Sequence, residues 1–277
     1  MSLQQSRDLL NKLLGNVGDM SLKRRASKIL EGLDLKVGDK VLDVGCGDGF
    51  FLYLISTLPI KLSLVGFDND KKILTIARKN LAHKRLRLVN GDATAMPFAE
   101  NSFNQVIMTE VLEHVQNERK SVSEVYRVLK PNGILVLTVP GYNFPFLWDP
   151  LNWILQNIFG THISGTNFFA GIWARHLRLY KRNNLKKLIK NAGFKIEEAE
   201  ELTTRCLPFN HYLVNLVARL LYDVKPSFVT LESLSKFKNA KKPLLIRLAF
   251  FLVNTFDKLN DILPGKNGLN IYIKARK

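Results

Sequence analysis

An α/β fold built on a doubly wound sheet is predicted by three features of the sequence. Apolar runs alternate with helical stretches between residues 40 and 140, a glycine-rich loop follows the first run, and acidic residues close the next two. The first run, Val41-Leu42-Asp43-Val44, turns through Gly45-Cys46-Gly47-Asp48-Gly49 into a helix opening at Phe50-Phe51. Glycine permits positive backbone torsions and a close approach of ligand to main chain. Such a loop at a helix N-terminus cradles a nucleotide-like group. The dinucleotide pattern G-x-G-x-x-G needs its third glycine at position 50, where this chain has Phe50, so the spacing weighs against NAD. Asp43, just before the loop, suits a ligand carrying an ammonium group and crowds a pyrophosphate.

The remaining elements follow in order. Residues 1–37 read as one or two amphipathic helices, with Leu9, Leu10, Leu13 and Leu14 on one side and Lys23-Arg24-Arg25 later. The second run, Leu62–Phe67, ends in Asp68-Asn69-Asp70, where an acidic residue can accept both hydroxyls of a ribose. A third, Leu86–Asn90, closes on Gly91-Asp92-Ala93, with Met96-Pro97-Phe98 beyond. The fourth, Phe103–Met108, leads into Thr109-Glu110-Val111-Leu112-Glu113-His114-Val115. The fifth, Gly133–Pro140, comes after Leu129-Lys130-Pro131-Asn132. Residues 180–192 read as a helix stopped by Gly193. Phe194–Leu202 makes a sixth strand and Gly268–Lys274 a seventh.

These motifs, in this order, resemble the class I S-adenosylmethionine-dependent methyltransferases, and within them the type 11 small-molecule group typified by D-V-G-C-G-x-G. Gly91-Asp92-Ala93 with Met96-Pro97-Phe98 is similar to that group's G-D-A-x-x-L-P-F, and Leu129-Lys130-Pro131-Asn132 to its L-K-P-G-G turn. The resemblance implies a Rossmann-like, seven-stranded sheet whose last strand is antiparallel. It also implies S-adenosylmethionine as cofactor and S-adenosylhomocysteine as product. The cofactor-binding positions carried over are Asp43, Gly45, Cys46, Gly47, Asp68, Asn69, Asp92, Ala93 and Glu110. The Asp92 position would meet the adenine amino group, and the Glu110 segment would lie beneath the methionine part. Residues 1–37 would form a helical cap over the cleft.

In the family the last two strands pair across a short connection, whereas here residues 203–267 intervene. The expected organisation is a cap over 1–37, a core over 38–202, a helical insertion over 203–267 between strands six and seven, and a final strand over 268–277. Two apolar helices are predicted within the insertion, one from Leu213 to Leu221 and one from Leu244 to Phe256. The continuous apolar stretch Leu248–Val253 is much shorter than the about 20 residues that span a bilayer. Residues 1–140 carry a net +5 of the chain's +17, and residues 141–277 the remaining +12. Basic residues around apolar helices suit an anionic membrane surface or an acidic amphiphile, and equally a solvated lysine-rich face. The same field would attract RNA, but no Asn-Pro-Pro-Tyr motif for base methylation is present, so nucleic acid is the weaker partner.

Residues 141–180 carry Tyr142, Phe144, Phe146, Trp148, Trp153, Phe159, Phe168, Phe169, Trp173 and Tyr180. Leaving the carboxyl end of strand five, this segment should wall an acceptor pocket, a role compatible with its also being a small helical core. His176 within Arg175-His176-Leu177-Arg178-Leu179-Tyr180 is similar to the group's H-x-R-x-Y/F stretch, which lies near the substrate pocket. His176 and His114 are the candidate bases; an ordinary hydrogen-bonded histidine is the alternative for each. Alignment of acceptor with methyl group supplies most of the catalysis, and a base is needed only where the acceptor must lose a proton. Glu110–His114 lacks the first histidine of H-x-x-E-H, and Cys46 and Cys206 stand far apart, so no metal is expected. The composite expectation is a cytoplasmic, monomeric or weakly dimeric enzyme, peripheral to membrane at most, with no secretory leader in Met1–Ser6. It would methylate a small hydrophobic or amphiphilic acceptor, lipid-linked ones included. An RNA methyltransferase and a non-catalytic cofactor-binding subunit remain the alternatives.

Overall fold

The apolar runs form strands β1 (Lys40–Val44), β2 (Ser63–Asp68), β3 (Leu86–Asn90), β4 (Phe103–Thr109), β5 (Leu129–Pro140), β6 (Lys195–Leu202) and β7 (Asn270–Arg276). They are seen in a computed structural model that describes residues 13–15, 17, 19–82, 84–166, 168–206, 236–237, 244–263 and 265–277. One sheet results, ordered β3-β2-β1-β4-β5-β7-β6. β1 to β5 are mutually parallel, and β7 runs antiparallel between β5 and β6. The order reverses between β1 and β4, which opens a crevice at the carboxyl ends of the central strands.

The helices are α1 (Met20–Gly32), α2 (Phe50–Ser56), α3 (Lys71–Asn80), α4 (Glu118–Val128), α5 (Pro150–Ile158), α6 (Arg182–Asn191), α7 (Leu244–Asp257) and α8 (Leu259–Ile262). Asp19, Asp70, Asn117 and Asp149 cap α1, α3, α4 and α5, each side chain accepting a first-turn N–H that no intrahelical carbonyl can serve. Alternation along the strands sends Val41, Leu64, Ile107, Val136 and Tyr272 into the core under α1, α2 and α3. The opposite set, Leu42, Val65, Val106, Leu137 and Ile273, packs with Val125 of α4 and Leu185 and Ile189 of α6. A third cluster joins Phe144, Trp148, Ile172, Trp173 and Leu179 with Cys206 from beyond β6 and Leu269 from before β7.

Three departures from the sequence reading have local causes. β5 begins at Leu129 because Leu129 pairs with Phe103 and the Asn132 N–H donates to the Lys277 carbonyl at 3.1 Å, so the turn joins the ladder. Phe194 precedes β6 and is buried in the core beside Tyr126, their rings edge-on at 5.0 Å. β7 starts at Asn270 because the Gly268 N–H donates to the Glu201 carboxylate at 2.7 Å instead of entering the ladder.

In the insertion, α7 forms where the second apolar helix was expected, whereas Leu213–Leu221, like Leu9 and Leu10, lies outside the described residues. Arg24 of α1 ties this part down, pairing with Asp257 and, at 2.8 Å, with Asp261. Lys236 reaches Asp48 of the glycine loop at 2.9 Å. Among the described residues no helix is long and apolar enough to cross a membrane.

Candidate active site

A cleft of about 650 Å³ lies over the carboxyl ends of β1 to β4. Its wall includes Gly45, Gly47, Asp68, Asn69, Asp92, Ala93 and Glu110, seven of the nine expected cofactor positions, together with His114. Gly45 sits at φ +70°, and a Cβ there would stand 2.3 Å from a Val111 methyl carbon, so the β1 and β4 loops approach only because it is glycine. Gly47, at φ +52°, has nothing within 4 Å of where its Cβ would be, leaving backbone open to a ligand. Asp68 Oδ2 accepts the Gly47 N–H at 2.9 Å, and Oδ1 accepts the Asp70 N–H at 2.9 Å. A carboxylate has about four acceptor positions, so this one is held in orientation with capacity left for two neighbouring hydroxyls. Asp92 is held likewise, its Oδ1 accepting the Thr94 N–H at 2.8 Å.

Asp43 and Cys46 are not part of the cleft wall. Asp43 lies inside β1, 0% exposed, with no hydrogen bond to either oxygen. Burial, then the nearby Asp68 and Asp48 carboxylates, push its pKa well above the usual carboxylate range. Cys46 packs toward β2, its Sγ 2.9 Å from where a Gly66 Cβ would be, and burial raises its thiol pKa as well.

Glu110 divides the cleft from a second cavity of about 230 Å³, whose wall includes Arg25, Pro140, Trp148, Ile172, His176 and Leu269. Glu110 adopts φ +52° and is bound on every side: Oε1 accepts from Thr138 Oγ1 at 3.0 Å, and Oε2 from Asn270 Nδ2 and Arg25 at 3.1 Å each. The sequence reading did not place Arg25 in the site. Its signal was available, because Arg25 lies on the inward stripe of α1, four residues from buried Ser21 and four from buried Ile29. A charge on such a stripe needs a buried partner.

The two histidines come together where the cavities meet, their rings edge-on at 4.9 Å. Arg178 clamps their loops, donating to the carbonyls of Leu112 at 3.1 Å, Val115 at 2.6 Å and Gln116 at 3.3 Å. Tyr180 adds a bond to Leu112 O at 3.2 Å, and the Leu177 N–H one to Glu113 O at 2.9 Å. Burial, then the His114 ring, hold the His176 pKa below its ordinary value. Glu113, next to His114 in the chain, is 0% exposed with no hydrogen bond to either carboxylate oxygen, His114 Nε2 standing 3.9 Å from Oε1. Burial, then Glu110, push its carboxyl well above the usual range. The comparison with H-x-x-E-H sought both histidines on one helix, whereas the fold brings the second from a separate loop.

A doubly wound sheet with a glycine cradle and an acidic residue closing β2 defines a nucleoside-binding α/β domain. Residues 42–137 match the family described as Methyltransferase domain. Sterol 24-C-methyltransferase of Pneumocystis carinii is 30% identical over 193 residues, 65% of this chain and 46% of that one. Demethylmenaquinone methyltransferase of Lactobacillus johnsonii is 26% identical over 200 residues, 68% of this chain and 80% of that one. Coverage is often about half, as with a probable S-adenosylmethionine-dependent methyltransferase of Mycolicibacterium smegmatis, of which 54% is matched. Among solved structures, a putative methyltransferase of Bacillus halodurans aligns with TM-score 0.55 at 24% identity, covering 91% of this chain and 98% of that one. A [4+2]-cyclase aligns with TM-score 0.57 at 19% identity, covering 91% and 79%, so the fold by itself does not define the reaction. Sequence and fold together make residues 42–137 a class I S-adenosylmethionine-dependent methyltransferase domain.

Proposed function

We propose that the protein transfers a methyl group from S-adenosylmethionine to a small, lipid-like acceptor held in the cavity behind Glu110. When bound, S-adenosylmethionine supplies a methyl group on a positively charged sulfur, whose transfer to a nucleophile leaves S-adenosylhomocysteine. Asp68 accepts the ribose hydroxyls, Asp92 faces the adenine amino group, and Glu110 borders the methionine end. Asp43 stands behind the loop as a buried carboxyl, and Cys46 contributes backbone and packing. The observation that carries the acceptor reading is the second cavity itself: it shares Glu110 with the cofactor cleft, and Trp148, Ile172, Pro140 and Leu269 make much of its wall apolar. Relatives named for sterol and demethylmenaquinone substrates support the same acceptor class. Where the acceptor is a hydroxyl, phenol or carbon acid, His114 and His176 stand at the junction of the two cavities to assist its deprotonation. The exposed residues Leu244, Leu248 and Phe251 recur along one side of α7. Together with the +17 charge, that stripe supports delivery of the acceptor from an anionic membrane surface.

Incubation with methyl-labelled S-adenosylmethionine and a panel of sterols, quinols and bulk RNA tests this. Label entering an organic-extractable product supports it; label entering RNA alone, or no S-adenosylhomocysteine release with any extract fraction, rejects it. Liposome flotation tests the membrane step, and protein remaining soluble at low salt with anionic vesicles rejects that step alone.

A further inference from the structure

We propose that Glu113, His114 and His176 form a binding site for one divalent transition-metal cation of the zinc type, at the junction of the two cavities. The three side chains each offer a ligand atom, and these atoms lie within 4.8 Å of one another. Glu113 is the decisive observation. It is fully buried, neither oxygen has a hydrogen-bond partner, and His114 Nε2 stands 3.9 Å from Oε1. A cation between the rings supplies the missing partner.

The histidines are prepared for this in a second way. His114 Nδ1 lies 3.1 Å from the Arg175 carbonyl, which selects the tautomer protonated there and leaves Nε2, 3.9 Å from Glu113 Oε1, with a free lone pair. His176 Nδ1 is buried without a hydrogen-bond partner. In His114 one ring nitrogen is held by a backbone carbonyl and the other is left free, the arrangement that metal-bound histidines show. Both ligand loops are pinned by Arg178, so the donors are held before any ion arrives.

Two imidazoles and a carboxylate suit zinc and its first-row neighbours, while magnesium prefers all-oxygen sites. With bonds of about 2.0–2.1 Å the ligand atoms stand about 3.4 Å apart, so closing the site needs shifts of about 1.4 Å or less. His114, exposed on one side, can make them. Glu110 is excluded as a ligand because Thr138, Asn270 and Arg25 already take its oxygens. Three protein ligands leave a coordination position open, at a place where His114 lines the cleft and His176 the second cavity. An acceptor hydroxyl entering that position gives up its proton to solvent more readily, as metal-bound water does. This refinement rests on the methyl-transfer reading and narrows the acceptor to one that presents oxygen; the cation site itself does not depend on that reading.

The test uses untagged full-length protein, stripped with a chelator and titrated calorimetrically with Zn²⁺, with Co²⁺ absorption as a reporter of coordination geometry. One cation per chain is expected, with affinity lowered about 100-fold or more in Glu113→Gln and in His176→Asn. S-adenosylhomocysteine titrations of the same variants, expected to stay within a few-fold of wild type, establish that each remains folded. No stoichiometric binding to wild type, or binding equally tight in both variants, overturns the site. Loss of S-adenosylhomocysteine binding in wild type with Zn²⁺ binding retained would remove the methyltransferase reading and leave the site standing.

Discussion

Replacing Arg25 with Met cuts the contact by which α1 reaches the boundary between the two cavities. Arg25 pairs with Glu110 Oε2 at 3.1 Å, and the two side chains are 14% and 24% exposed. Exposed ion pairs contribute about 0–1 kcal/mol, whereas removing one partner of a fully buried pair costs about 3–5 kcal/mol. At this intermediate exposure, with Thr138 and Asn270 still donating to Glu110, the expected loss is about 2 kcal/mol. Met keeps most of the aliphatic length, so lost packing contributes little. Urea denaturation of wild type, Arg25→Met, Glu110→Gln and the double variant gives a coupling energy, expected to exceed about 1 kcal/mol. Coupling below about 0.3 kcal/mol would show that α1 only covers the cleft and that Arg25 plays no part in fixing Glu110.

Further outcomes concern the glycine loop and the residue before it. Gly45→Ala should lose about 2–4 kcal/mol in thermal denaturation, because it meets the Val111 methyl in a left-handed conformation, while Gly47→Ala bears only the backbone term of about 1–2 kcal/mol. Equal losses would mean that the β1 and β4 loops do not touch as described. For Asp43 the folded pKa is raised, so its contribution to stability is full below the unfolded value of about 3.9 and is lost as pH rises toward the folded pKa. Asp43→Asn should therefore gain on wild type as pH rises above about 4 toward the folded pKa, at up to about 1.4 kcal/mol per pH unit, in denaturation without ligand. A constant difference across that range would contradict the buried, unpartnered carboxyl. Asp68→Ala should weaken S-adenosylmethionine binding about 10-fold or more through lost hydroxyl contacts, and unchanged affinity in calorimetry would contradict its role.

The sheet and most of the residues lining the cleft over β1 to β4 were legible because their signals are local. A strand, three glycines and a closing acid sit within a few residues of one another, and Asp68 and Asp92 each end a run that periodicity already marks. The antiparallel end of the sheet came from resemblance, since nothing in Asn270–Arg276 states its partners. What escaped the reading is long-range. Asp43 and Cys46 belong to the loop in sequence, yet strand alternation and packing take both side chains away from the cleft. Arg25, Thr138 and Asn270 converge on Glu110 from three distant elements. Glu113 and His176 meet only because Arg178 and Tyr180 bind one loop to the other, and no spacing rule along the chain encodes that clamp.

Calorimetric titration of the full-length protein with S-adenosylhomocysteine, S-adenosylmethionine and NAD tests the central claim most directly. Saturable one-to-one binding of the first two, weakened by Asp68→Ala, with no binding of NAD, is the expected result. Binding of NAD with neither S-adenosyl compound taken up would contradict it.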